Sequence, residues 1–165
     1  MSTIDKVLVA RQERLIDYLV VLGPKVENGE FIRDVSRVRS DSFTIEPIYD
    51  LALIFGKETV LDEHNWQRIN SVKNNQINLN TGYLKTSVTL FASRRYTETI
   101  PVPISNVIVH SLKDKDNPPV QKSWTAISSK RFGRETVIYV ERDANAPSVV
   151  DVLVVDFSAG EVVPP

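Results

Sequence analysis

Ser148-Val-Val-Asp-Val-Leu-Val-Val-Asp-Phe157 is the stretch on which the fold turns, a run of valine and leucine interrupted only by Asp151 and Asp156. It is too short to span a bilayer. Its β-branched side chains lose χ1 freedom in a helix and pack well on a pleated surface, so a strand is expected. Both sides are apolar from Val152 to Val155. That predicts an interior strand whose two faces are covered by the protein or by a neighbouring subunit. Asp151 and Asp156 are an odd number of residues apart and so are expected on opposite faces.

Outward from that strand, the second half of the chain reads as β-structure. Leu84, Thr86, Val88 and Leu90 alternate with Lys85, Ser87 and Thr89, the period of a half-buried strand. Tyr96, Glu98, Ile100, Val102 and Ile104 share the face of a next segment, with Pro101 and Pro103 on its other side. Each proline deletes a ladder donor, so this segment is expected at a sheet edge or as an extended arm. Val107 to Val109 continues the pattern up to a polar loop over 113–119. Residues 123–127 and 135–140 flank Lys130-Arg-Phe-Gly133 as a hairpin.

The first half is mixed. Ile4, Val7, Leu8, Leu15, Tyr18, Leu19 and Leu22 recur at three- and four-residue steps before Gly23-Pro24, which predicts an N-terminal amphipathic helix over 4–22. Residues 25–42 fit a hairpin around Asn28-Gly29 or a short helix, and 43–48 alternate as a strand. Leu51 to Phe55 is an apolar run closed by Gly56. A second helix is expected over 59–72, with Thr59 or Asp62 as its cap and Leu61, Trp66, Ile69 and Val72 for packing. The asparagine-rich residues 71–81 read as a linker. The fold class expected is therefore α+β and β-rich, an N-terminal helix plus a mainly antiparallel β-sandwich or small barrel from about residue 82. The 165 residues fit one domain, with a subdivision into 1–75 and 82–165 as the alternative. No internal repeat is read.

Composition removes several functions. Twenty basic residues face 21 acidic ones, a net charge of −1, so nothing global attracts nucleic acid or anionic lipid, and self-association meets little repulsion. Cysteine is absent, which excludes disulfides, thiolate metal sites and cysteine nucleophiles and favours an intracellular setting. Neither a signal-peptide core nor an apolar run of spanning length occurs. His64 and His110 are isolated from ligand-spaced partners, and no Gly-x-Ser-x-Gly or phosphate-cradling glycine loop exists. Asp114, Asp116 and Asn117 have the oxygens of a calcium loop's start but lack its glycine and bidentate acid. The reading is a protein that is not an enzyme and carries no cofactor or metal.

Three arginine clusters remain: Arg33, Arg37 and Arg39; Arg94-Arg95 beside Tyr96; and Lys130, Arg131 and Arg134 around Phe132. Acids stand beside each, so ion pairing within or between subunits is favoured over phosphate binding. Cysteine-free, β-rich and proline-armed, the chain resembles structural proteins of tailed-bacteriophage virions (tail, neck, baseplate or capsid decoration). That resemblance implies partners that are copies of itself and other structural proteins, and a virion assembled in the host cytoplasm. The interface residues nominated are Ile100, Val102 and Ile104 on the arm, Val162 and Val163 in the tail, and Arg94 and Arg95. The competing classes are an enzyme or ligand-binding domain with a site built from scattered acids and arginines, and a nucleic-acid-binding accessory protein.

Overall fold

The structure, a computed structural model, describes residues 5–10, 18–23, 46–57, 61–71, 73–79, 86–113, 119–133, 135–146, 148–149, 151–155 and 160. Strand follows strand throughout: β1 (Asp5–Ala10), β2 (Tyr18–Gly23), β3 (Asp50–Phe55), β4 (Gln67–Arg68), β5 (Val88–Ser93), β6 (Asn106–Ser111), β7 (Thr125–Ala126), β8 (Thr136–Glu141) and β9 (Asp151–Val155). Among the described residues there is no helix, and none long and apolar enough to cross a membrane. All named strand pairs are antiparallel, and they form three three-stranded sheets ordered β1-β2-β9, β3-β5-β4 and β6-β8-β7.

Alternation explains the strands. In β3, Leu51, Leu53 and Phe55 are buried while Ala52 and Ile54 are half-buried, and in β5 Val88, Leu90 and Ala92 face the core. Burying each of these larger side chains contributes roughly 1.5–3 kcal/mol. Gly56 ends β3 with φ +60°, and a Cβ there would meet Thr86 Cγ2 at 3.0 Å. Glycine is the residue that adopts this conformation without strain.

The second and third sheets repeat one another by register, contrary to the expectation of no repeat. Asp50 pairs with Ser93 and Leu51 with Ala92, as Asn106 pairs with Glu141 and Val107 with Val140. Gln67 and Arg68 meet Ala92 and Phe91 as Thr125 and Ala126 meet Val140 and Tyr139. The backbone bonds outside the strands match too: Ile69 N to Leu90 O against Ile127 N to Ile138 O, and Leu79 N to Val88 O against Phe132 N to Thr136 O. Each sheet takes its strands in the order first, third, second. The remaining sheet follows the same rule if β9 is its first strand and β1 and β2 its second and third, so one repeat is assembled from the two ends of the described chain.

The three repeats meet in a ring. Ile48 N donates to Val149 O at 2.9 Å, Val149 N to Ile104 O at 2.7 Å and Ile104 N to Ile48 O at 2.9 Å. Each of these residues stands two positions before the first strand of its sheet, and their exposures are 0%, 2% and 0%. The local sequences agree: Pro47-Ile-Tyr-Asp-Leu51, Pro103-Ile-Ser-Asn-Val107 and Ser148-Val-Val-Asp-Val152. Each ring amide is satisfied without water, as deep burial requires. A single hydrophobic cluster surrounds the ring, running from Ile48 through Ile77, Leu79 and Phe132 to Val154.

Several expectations are corrected. Residues 61–71 hold a turn and the short strand β4 instead of a helix, because Asp62 closes the chain on itself: its carbonyl accepts from Asn65 N and Trp66 N, and its Oδ1 from His64 N. Residues 73–79 of the expected linker contribute Ile77 and Leu79 to the core, and the sheet β3-β5-β4 joins strands from both sides of them. Strands beyond residue 82 are shared among all three sheets. Residues 94–105 form no strand, so of the two expectations for the proline segment the sheet edge is corrected; Pro101 and Pro103 offer no ladder donors. Among the described residues, β9 is paired along its length only with β2, and a single parallel bridge joins Val154 to Ser71 on its other side. Its Val152 and Val154 are buried. Within the stretch expected as the N-terminal helix, residues 11–17 lie outside the described residues, while Asp5–Ala10 and Tyr18–Gly23 are described as β1 and β2. Residues 25–45 also lie outside them.

Candidate functional site

Beyond Ser93 the strand β5 ends, and the chain takes residues 94–103 to reach the ring at Ile104; the equivalent connection after β8, 142–148, is three residues shorter (ten against seven). The longer one carries Thr97-Glu98-Thr99. Thr97 Oγ1 accepts from Ile100 N at 3.0 Å and lies 3.2 Å from Thr99 Oγ1, a local turn that needs no ladder partner. Tyr96 is 58% exposed and meets Tyr49 edge-on, with ring centroids 6.1 Å apart.

Beside this loop lies an open cleft of about 390 Å³ whose lining includes Glu46, Glu63, His64, Trp66, Arg94 and Arg95. Consecutive residues of a strand point to opposite faces. Arg94 and Arg95 both reach the cleft because the strand has ended before them. Arg94 Nη1 donates to the carbonyl of Glu46. Arg95 Nη1 donates to Asn65 Oδ1 at 2.9 Å, and Asn65 Nδ2 donates to Asp62 Oδ2 at 2.6 Å. Asp62 therefore holds the turn and orients the Arg95 guanidinium through Asn65. Two arginines face two glutamates, so the cleft is close to neutral and suits one carboxylate at a time better than a polyanion.

A second polar centre joins the repeats. Arg142 Nη2 donates to Tyr49 O at 2.7 Å and lies 3.3 Å from Asp50 Oδ1. Burial pushes the Asp50 carboxyl above the ordinary aspartate value, opposed by the Leu51 amide and by Arg142. On the outer face of the third sheet, Tyr139 meets Trp124 and His110 at centroid distances of 5.9 and 6.2 Å.

Of the nominated interface residues, Arg94 and Arg95 line the cleft, and Ile100 and Val102 are half-buried in the adjoining loop. Ile104 is fully buried and both its backbone groups are used in the ring. Val162 and Val163 lie outside the described residues, as do Arg33, Arg37, Arg39, Arg134, Asp114, Asp116 and Asn117. Lys130 stands over the Phe55 ring at 5.4 Å, and Arg131 pairs with Glu135 at 3.2 Å on an exposed surface. Among the described residues no group of three or more His, Asp or Glu side chains is placed to hold a metal ion. Trp66, expected to pack on a helix, lines the cleft instead, and Trp66-Gln-Arg-Ile69 and Trp124-Thr-Ala-Ile127 share one spacing at equivalent places in two sheets. Comparison with family models, curated proteins and solved structures finds no match to this chain.

Proposed function

We propose that the protein is a non-catalytic assembly subunit that works through protein–protein contact at the 94–102 loop and the cleft beside it. The observation that carries this is the loop itself. It is three residues longer than its counterpart after β8, pinned at one end by Arg94 on the Glu46 carbonyl and at the other by Ile104 in the ring, and it presents Tyr96 at 58% exposure. An insertion relative to a protein's own repeat, held on a rigid frame and tipped by tyrosine and arginine, has the make-up of a contact surface. A bacteriophage virion, with further structural proteins as neighbours, is the setting that the chain's composition supports. The test is sedimentation velocity across a range of protein concentrations, comparing the wild type with a Tyr96→Ser, Ile100→Ser double variant. Concentration-dependent association that the variant loses is the expected result; identical behaviour of the two would place the contact elsewhere.

A further inference from the structure

The proposed contact surface carries both halves of an ion pair. Arg95 is exposed, held toward the cleft by Asn65, and that bond uses one of the five N–H donors of its guanidinium. Glu98, three positions on, is exposed and makes no ion pair among the described residues. Between them in sequence stands Tyr96, the most exposed large hydrophobic side chain described.

We propose that the cleft is occupied by the same loop of a second copy of this chain, the Glu98 carboxylate of each copy seated against the Arg95 guanidinium of the other. This rests on the reading of the loop as an assembly surface and names its partner. One loop that carries an exposed cation and, three positions on, an exposed anion is self-complementary under a two-fold axis, because every Arg95–Glu98 contact is made twice. Glu46 and Glu63 at the cleft balance Arg94 and Arg95. Arg95 has guanidinium donors beyond the Asn65 bond for one incoming carboxylate, whereas a phosphate backbone with its many charges is opposed by the two glutamates. Tyr96 supplies the apolar area close to the axis that charge alone does not give, and burying two such rings favours association. The connection after β8 offers a built-in contrast: Asp143 follows Arg142 where Arg95 follows Arg94, its carboxylate caps the amide of Asn145 at 2.9 Å, and Arg142 turns inward to Asp50. A contact built on one loop and one shallow cleft lies at the small end of interface sizes, so weak association that falls with salt is expected.

The experiment is a charge-reversal cycle read by sedimentation velocity at low salt. Arg95→Glu and Glu98→Arg each raise the dissociation constant at least about tenfold, since each reversal introduces two like-charge contacts per dimer. Combining them restores it to within about threefold of wild type. Arg95→Gln and Glu98→Gln, milder changes at exposed positions, show the same order with smaller effects, and circular dichroism verifies that all variants fold. Single reversals that weaken association with no recovery in the combination overturn the pairing while leaving the loop as an assembly surface. A chain that is monomeric throughout, or association indifferent to every variant, overturns both.

Discussion

The sheets β3-β5-β4 and β6-β8-β7 share a ladder and the buried residues behind it, and they differ in the side chains of the outer face and in the loops. Leu51 and Val107, Leu90 and Ile138, Ala92 and Val140, and Leu79 and Phe132 hold matched positions and are all buried. On the outer face the pairs part company. Phe91 lies under Arg68 with the guanidinium 5.9 Å from its centroid, while its equivalent Tyr139 meets Trp124 and His110. Ser93 corresponds to Glu141, which accepts from Ser123 Oγ at 2.6 Å. The backbone reversal is also solved twice: Gly56 takes φ +60° after β3, whereas Glu135 takes φ 56° before β8, and Leu112 stands where Gly56 would be. Most equivalent positions that stay apolar are buried by the ring and ladders, and the aromatic partners change on the half-buried outer face; Val88 against Thr136 and Ser93 against Glu141 are buried or half-buried positions, at the strand ends, where the chemistry changes as well.

The largest test of this comparison is truncation within the ring. Ile48→Ala and Ile104→Ala should each cost about 2–5 kcal/mol in urea denaturation, because both side chains are fully buried and the loss includes a cavity. Equal costs at the two positions are expected from their equivalence. Ile100→Ala, half-buried in the loop, should cost less than about 1.5 kcal/mol; a cost equal to that of Ile104→Ala would erase the distinction between frame and loop.

Next in size is the backbone reversal. Gly56→Ala forces a side chain into the left-handed region against Thr86 Cγ2 and should lose about 1–2 kcal/mol. Glu135→Gly relieves the corresponding strain and should gain up to about 1 kcal/mol, reduced by the loss of the exposed Arg131 pair. Thermal melting of both variants checks the opposite signs.

The smallest effect concerns Asp50, whose equivalent in the third sheet is already the uncharged Asn106. Burial raises the Asp50 carboxyl in the folded state, so the folded chain binds more protons than the unfolded one just above the ordinary aspartate value. Stability contributed by this group is therefore greatest at low pH and falls as pH rises through that window. Asp50→Asn keeps an acceptor for the Leu51 amide and should flatten this part of the profile. A wild-type profile steeper in the opposite direction there, and flattened by the variant, would mean that the Arg142 pair outweighs burial.

Much of this frame was legible in the residues. The apolar run before Gly56 is β3, the alternation around Val88 and Leu90 is β5, and Val107 to Val109 lies in β6. The hairpin expected around Lys130 to Gly133 exists, with β7 and β8 paired and Phe132 bridged to Thr136. The repeat was hidden for two physical reasons. Its units carry loops of different length, so equivalent residues lie at no constant spacing, and one unit is divided between β9 and the hairpin β1-β2. Helical periodicity over residues 59–72 misled because Leu61, Trp66 and Ile69 belong to a turn and a two-residue strand, and the helical pattern says nothing of Asp62 closing that turn on itself. At the site, the adjacent arginines are visible in the sequence as a cluster, but that Asn65 and Trp66 join them depends on a fold in which β4 lies beside β5.

The account is tested most directly by amide hydrogen exchange followed by NMR at dilute and concentrated protein. It predicts that the amides of Ile48, Ile104 and Val149 exchange together, at the free energy of global unfolding, at both concentrations. The amides of Arg95 to Thr99 should exchange fast when dilute and become protected when concentrated. Three different rates around the ring, or a loop equally unprotected at both concentrations, would contradict it.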